Sequence, residues 1–305
     1  MDRITDNLAT SLVTKTVDYS YEQMLIPAIS ESKLITQSYT EEIWDSVVNK
    51  ESNATYRECF LTDMQSFFIE MTVFKSIASE KDITLSQEET RAASLAADTF
   101  YQKTCKEVGQ LSDMDKGEVS RLFADYALAR KTKEKLIEEN VPEVAESEAR
   151  IMDFHVIEVS DQELAESLLE RLNQGEDCYR LAAQYSENEN ILQSIPVDEK
   201  DQTVKNALCT LDQGGISPVL EEKGKYILYK CINSYDKEAT RKNKEKIKRE
   251  RESRFLQDMY QDYLTKNQIV MDELAFKKVR ENAFITFEGQ DFFTTFQETW
   301  ENEGL

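Results

Sequence analysis

The sequence predicts an α+β protein with helical segments at both ends and a strand-containing stretch between them. Three observations carry this. Long runs with apolar side chains at three-to-four spacing lie before residue 140 and again after residue 237. Short segments rich in Val, Ile and Tyr, bounded by glycine-containing turns, fall between residues 150 and 235. With 8 glycines and 4 prolines in 305 residues, long flexible or Pro-rich linkers are excluded and helix is favoured.

The elements follow in order. Between Leu8 and Ala28 the pattern places nothing. Tyr39-Thr40-Glu41-Glu42-Ile43-Trp44 reads as a helix start, with Val47 and Val48 beyond it. Leu61, Met64, Phe67, Phe68, Met71, Phe74, Ile77 and Ala78 form one stripe of an amphipathic helix over 61–78, and its broad aromatic face requires a partner. Ser86 and Glu89 have the spacing of a capping box, opening a helix that continues through Ala92, Ala96 and Phe100 to Gly109. A third helix spans about 118–139 and stops before Pro142, and the polar, acidic 140–150 stretch reads as a linker. Phe154-His155-Val156-Ile157-Glu158-Val159 is a strand. Leu164, Ala165, Leu168, Leu169 and Leu172 form a helix closed by Gly175, and a short helix follows around Leu181, Ala182 and Tyr185-Ser186. Val204, Ala207, Leu208 and Leu211 share another helical face before Gly214-Gly215-Ile216-Ser217-Pro218-Val219, and residues 224–230 read as the closing strand. From 237 to 254 nine basic side chains interleave with glutamates at helical spacing, which describes a solvated, salt-bridged helix before an anion-binding patch. The same helix turns amphipathic at Phe255, Leu256, Met259, Tyr260, Tyr263 and Leu264. Residues 281–305 carry six acidic residues, no Lys or Arg, and six Phe or Trp side chains; such aromatic density predicts docking onto the fold, with a partner-gripping surface as the alternative. The divisions are 1–149, 150–235 and 236–305.

Composition narrows the function. At 40% hydrophobic and 10% aromatic residues the chain can bury real cores, and a net charge of -22 disfavours nucleic acid and anionic lipid as partners. Five widely spaced cysteines, Cys59, Cys105, Cys178, Cys209 and Cys231, support neither a disulfide framework nor a zinc site and read as small buried apolar side chains. A single histidine leaves no metal hydrolase unless carboxylates supply the ligands, and there is neither a glycine-rich phosphate loop nor a Gly-x-Ser-x-Gly elbow, so no metal or cofactor is expected. No apolar run approaches the ~20 residues of a membrane span, and Met1–Asn7 has no apolar core behind it. Either the chain is cytoplasmic or an export signal has been removed from it.

The order of motifs between 154 and 230 resembles that of parvulin-type peptidyl-prolyl isomerases. The carriers are the His155 strand, Leu181-Ala182, Tyr185-Ser186, Gly214-Gly215-Ile216-Ser217-Pro218-Val219 and Gly224-Lys225-Tyr226-Ile227-Leu228-Tyr229-Lys230. The resemblance implies a small antiparallel sheet with helices, and a reaction without a nucleophile: the ~20 kcal/mol barrier of the X-Pro amide is lowered by binding its twisted form best. It implies a polar cluster in which His155 holds the first-strand position, Tyr226 stands where a second histidine belongs, and Asn188 or Glu187 takes the acidic or thiol position. It places Val204 and Lys200 on the proline-clasping wall, with Leu208 on the same helical face. An ammonium is a poor wall for proline, and 175–214 lacks the usual glycines, so the resemblance implies a retained fold with weak or lost catalysis. His155 itself reads first as structural.

Helices, this insert and a returning helix together resemble exported foldase chaperones of the PrsA and SurA kind, in which both chain ends make one helical domain. That resemblance implies unfolded or exported polypeptide clients, an extracytoplasmic place with a lipid anchor as its only tie to the membrane, and it allows a homodimer. Three functions compete: a foldase-like chaperone, an active prolyl isomerase using Tyr226, and a non-catalytic assembly protein.

Overall fold

The computed structural model describes residues 12–305, so the reading of Met1–Asn7 and the unassigned stretch from Leu8 to Ser11 lie outside the described residues. It divides into two compact units. One comprises the chain up to Asn140 together with Phe255–Leu305, and the other is Val141–Arg254.

The helical unit begins with strand β1 (Val13–Thr16) and helix α1 (Tyr21–Ser38), which Ser20 and Gln23 open as a reciprocal capping box. Helix α1 shows no stripe in sequence because Gln23 through Ser30 are all buried, and Pro27 removes the amide that would bond the Gln23 carbonyl. The helix start at 39–44 is a 3₁₀ turn, Glu41–Asp45, followed by a hairpin of β2 (Val47–Asn49) and β3 (Ala54–Thr55). Helix α2 (Tyr56–Glu80) buries Phe60, Met64, Phe68, Met71, Phe74, Ile77 and Ala78, leaving Leu61 and Phe67 half-buried at its flanks. Ser86 and Glu89 cap α3 (Gln87–Phe100) reciprocally; the helix then widens into a π turn, Tyr101–Cys105, short of Gly109. Helix α4 (Lys116–Asn140) buries Val119, Leu122, Phe123 and Leu136.

The second unit starts inside the acidic stretch read as a linker. There α5 (Glu146–Ala149) precedes β4 (Ile151–Val159), and Val144 and Ala149 are buried. Helices α6 (Gln162–Asn173) and α7 (Cys178–Tyr185), β5 (Leu192–Pro196), α8 (Gln202–Cys209), β6 (Leu220–Glu222) and β7 (Lys225–Asn233) complete an antiparallel sheet of order β5-β4-β7-β6. Lys223 (φ 51°) and Gly224 (φ 78°) form the two-residue β6–β7 turn, whose positive φ at both positions suits the strands' right-handed twist. Strand β5 lies at the edge of this sheet and pairs antiparallel with β4. The boundary at 254 rather than 235 has a physical cause. Helix α9 (Lys237–Lys266) ties its first turns to α5 and β4: Thr240 Oγ1 accepts from the Ile151 amide at 3.0 Å, Asn243 Nδ2 donates to the Ala149 carbonyl at 3.0 Å, and Arg251 pairs with Glu148. Lys244 also reaches Glu146 of α5 at 3.3 Å, while other basic residues pair along the helix, as Arg241 does with Glu238 and Glu245.

Back in the helical unit, the end of α9 lays Phe255, Leu256, Met259 and Tyr263 on the core. Strand β8 (Asn267–Val270) pairs in parallel with β1, and α10 (Glu273–Asn282) and α11 (Phe292–Asn302) close the fold. The acidic aromatic tail docks: the Phe292 ring lies 4.4 Å from Phe123 and Phe296 lies 4.8 Å from Tyr126, while Ser30 Oγ accepts from the buried Phe292 amide at 2.8 Å. The aromatic stripes therefore meet each other in a core and do not line an open cradle.

The buried Phe276, Val279, Phe292, Phe296 and Trp300 each contribute about 1.5–3 kcal/mol by burial, together comparable with a domain's whole stability of about 5–15 kcal/mol. Residues 1–149 expressed without 236–305 should therefore give no cooperative thermal transition by circular dichroism, while residues 141–254 alone should give one.

Candidate functional site

Strand β4 is central, and side chains alternate between its two faces. Phe154 and Val156 pack on one face with Ile195, Val204, Leu208, Ile227, Tyr229 and Cys231, beneath α8. Ile157 and Val159 pack on the other with Leu228 and with Ala165, Leu168, Cys178 and Leu181 of α6 and α7.

This alternation separates the residues nominated from sequence. His155 lies on the α6–α7 face, half-buried, its ring 5.6 Å from Tyr179; it makes no hydrogen bond among the described residues. In the ladder it stands opposite Lys230 and Leu192, whereas Tyr226 stands opposite Val159 on the same face. Four positions at about 3.3 Å each put the two roughly 13 Å apart along the sheet. Val204 and Leu208 belong to the opposite face. His155 and Tyr226 thus lie on one face of the sheet and Val204 and Leu208 on the other.

The two candidates for the third polar position also part ways. Ser186 Oγ accepts from the Glu158 amide at 3.1 Å and from the Asn188 amide at 3.2 Å, pinning the end of α7 to β4. The Glu187 carboxylate accepts from the Ser160 amide at 2.8 Å, the Ser160 hydroxyl at 2.7 Å and Lys225 Nζ. It is an exposed clamp across the strand ends. Asn188 Nδ2 donates to Glu158 Oε2 at 3.1 Å, and alternation carries Glu158 onto the α8 face with Val156.

The α8 face therefore holds the polar groups that matter, and three of them were not anticipated: Tyr229, Glu222 and Glu158. Tyr229, 1% exposed, packs its ring 5.5 Å from Phe154 and donates its hydroxyl to Glu222 Oε1. Lys200 Nζ donates to Glu222 Oε2 at 2.9 Å and to the Tyr229 oxygen at 3.2 Å. Burial first, then the hydrogen bond to Glu222, pushes the Tyr229 hydroxyl well above its ordinary range, so it stays protonated. Lys200 is thus no apolar wall but one corner of a closed Lys200–Glu222–Tyr229 lock beside Val204. A signal was present in sequence: counting by two from Ile227 puts Tyr229 on the α8 face. It was masked because both faces of β4 and β7 are apolar, so alternation has no polar side to show.

The Tyr229 phenol has one O–H and spends it on Glu222. The cysteines add no chemistry. Burial raises the Cys178 thiol to about 11 and the Cys105 thiol to about 12, whereas Cys209, expected in the core, is exposed. Among the described residues no group of His, Cys, Asp and Glu could hold a metal ion.

Glu187 gives a pH test. Hydrogen bonds from Lys225, then from the Ser160 side chain and amide, hold its carboxyl down to about 2 against an ordinary value of 4.5. A depressed folded value means the clamp's stabilisation is fully present above 4.5 and lost as pH falls through about 2. Glu187→Gln should therefore melt below the wild type at pH 7, and the gap should narrow between pH 4.5 and 2 in thermal scans.

No protein-family model matches the chain, and no curated protein matches it. Among solved structures it is similar to the foldase protein PrsA from Streptococcus pneumoniae, at 16% identity and a TM-score of 0.30 over 80% of this chain and 91% of that one. It is also similar to the peptidylprolyl isomerase PrsA from Bacillus cereus, at 19% identity and a TM-score of 0.35 over 84% and 99% of the two chains. PrsA from Bacillus subtilis is a third, at 18% identity and a TM-score of 0.27 over 83% and 99%.

Proposed function

We propose that this chain is an ATP-independent foldase-type chaperone, with the helical unit holding unfolded polypeptides and the sheet unit serving as a parvulin-like scaffold that has lost its chemistry. The observation that carries the holding function is apolar exposure around the 3₁₀ turn of the helical unit. Tyr39 is 59% exposed, Val47 47% and Val48 50%, and the Glu41–Asp45 turn between them lines a cleft of about 370 Å³. Apolar surface binds unfolded segments by burial worth about 25 cal/mol per Å², which permits reversible capture. The -22 charge keeps a loaded complex soluble.

The order of helices, insert and returning helix, which resembles that of exported foldase chaperones, adds exported proteins as the client class and a place outside the cytoplasmic membrane. No helix among the described residues is long and apolar enough to cross a membrane. Lipid anchoring and dimerisation belong to the same reading as expectations from that resemblance.

The purified protein should suppress aggregation of a chemically denatured client, followed by light scattering, at near-stoichiometric ratios without nucleotide. A variant with 141–254 replaced by a short linker should keep this activity, and protection confined to the isolated 141–254 unit would place the site in the wrong unit.

Loss of chemistry is tested separately. In a protease-coupled assay, X-Pro isomerisation of a short peptide should stay within about twofold of its uncatalysed rate, whose time constant is tens to hundreds of seconds. Fast turnover abolished by His155→Ala or Tyr226→Phe would instead support an active isomerase.

A further inference from the structure

The cleft has a chemistry of its own. It is bounded by α1, the 3₁₀ turn, Arg57 of α2 and residues 284–287, and at about 370 Å³ it falls within the ~300–1,000 Å³ range of ligand sites. Trp44, Phe284 and Ile285 give it an apolar wall. Its two cations are already engaged. The Arg57 guanidinium lies 4.1 Å from the Phe284 ring centroid and 3.8 Å from Asp45, while Lys33 lies 4.5 Å from the Phe287 centroid and donates to the carbonyls of Glu288, at 3.3 Å, and Gly289. Two of its three carboxylates are not. Glu41 and Glu42 are exposed and make no ion pair among the described residues, and Asp45 has only the long contact to Arg57. Ser32, 3% exposed, also lines the cleft, and its hydroxyl makes no hydrogen bond among the described residues.

We infer that this cleft takes an extended polypeptide segment in which an apolar side chain neighbours Lys or Arg. The inference rests on the client-holding reading above and gives it a specificity. The apolar side chain packs on Ile285 and the Trp44–Phe284 wall, which buries area that water otherwise covers. The ring faces of Phe284 and Phe287 already carry Arg57 and Lys33, so an incoming cation pairs with Glu41 and Glu42 at the rim. The Ser32 hydroxyl is placed to bond a main-chain group of the segment. An acidic segment would bring its carboxylates against three others, with no free cation to meet them.

The test uses the full chain and a fluorescein-labelled decapeptide of alternating leucine and lysine, read by anisotropy, with a leucine–glutamate decapeptide as counterpart. The lysine peptide should bind and the glutamate peptide should not. Glu41→Lys/Glu42→Lys should weaken binding about tenfold, and the milder Glu41→Gln/Glu42→Gln should move it in the same direction. Glu138→Lys/Glu139→Lys, the same charge change at exposed positions of α4, should alter it less than about twofold. Equal weakening by both lysine pairs, equal binding of both peptides, or no binding of the lysine peptide would overturn the inference. The light-scattering assay separates the two readings. Protection of a denatured client without binding of the lysine peptide sinks only the specificity, whereas peptide binding without any protection sinks the chaperone reading and leaves the cleft's preference standing.

Discussion

The packing of Phe292 and Phe296 against Phe100, Phe123 and Tyr126 is the contact on which the fold depends. It joins the last helix of the chain to helices made almost two hundred residues earlier, so the core of the helical unit is complete only when both ends are present. Everything from 141 to 254 must then be an excursion with a core of its own. Two clusters on either side of one antiparallel sheet supply that core. Bonds local to each unit follow from the same constraint: Ser30 Oγ to the Phe292 amide closes the helical unit, and Thr240 Oγ1 to the Ile151 amide starts the sheet unit.

What the sequence made legible were the features with one-sided periodicity. The α2 stripe and the amphipathic turn of α9 each alternate apolar and polar positions, so the pattern names both the element and its buried side, and the Ser86–Glu89 capping box marks where α3 begins; the aromatic density of 281–305 predicts docking without naming the helix α11. Helix α1 was not legible, because Gln23 through Ser30 are buried all round and Pro27 argues against helix locally. Tertiary enclosure settled it. The boundary near 254 was equally hidden, since the residues tying α9 to the sheet unit, Thr240, Asn243 and Arg251, look like any solvated helix face until α5 lies beside them.

The candidate site residues part for a different reason. Motif order placed His155, Tyr226, Val204 and Lys200 by position along the chain, but a site is made by faces, and in a strand a single step changes the face. His155 and Val156 are neighbours in sequence and face opposite cores, His155 toward Tyr179 and Val156 toward Val204 and Tyr229. A strand buried on one side would have declared its faces through its polar residues. Strand β4 is buried on both, and only the structure could assign them.

The Lys200–Glu222–Tyr229 lock ties β6, β7 and the turn before α8 together on one face of the sheet. A catalytic slot must keep apolar surface open and a donor unpaired until substrate arrives, and both are unfavourable in the free protein. Here the Tyr229 ring is buried against Phe154, and Glu222 and Lys200 satisfy its phenol. Each member then depends on the others: without Glu222, a buried hydroxyl and a half-buried ammonium lose their shared acceptor. The lock lies wholly within the sheet unit, and so the helical unit's cleft is free to differ in chemistry without disturbing it.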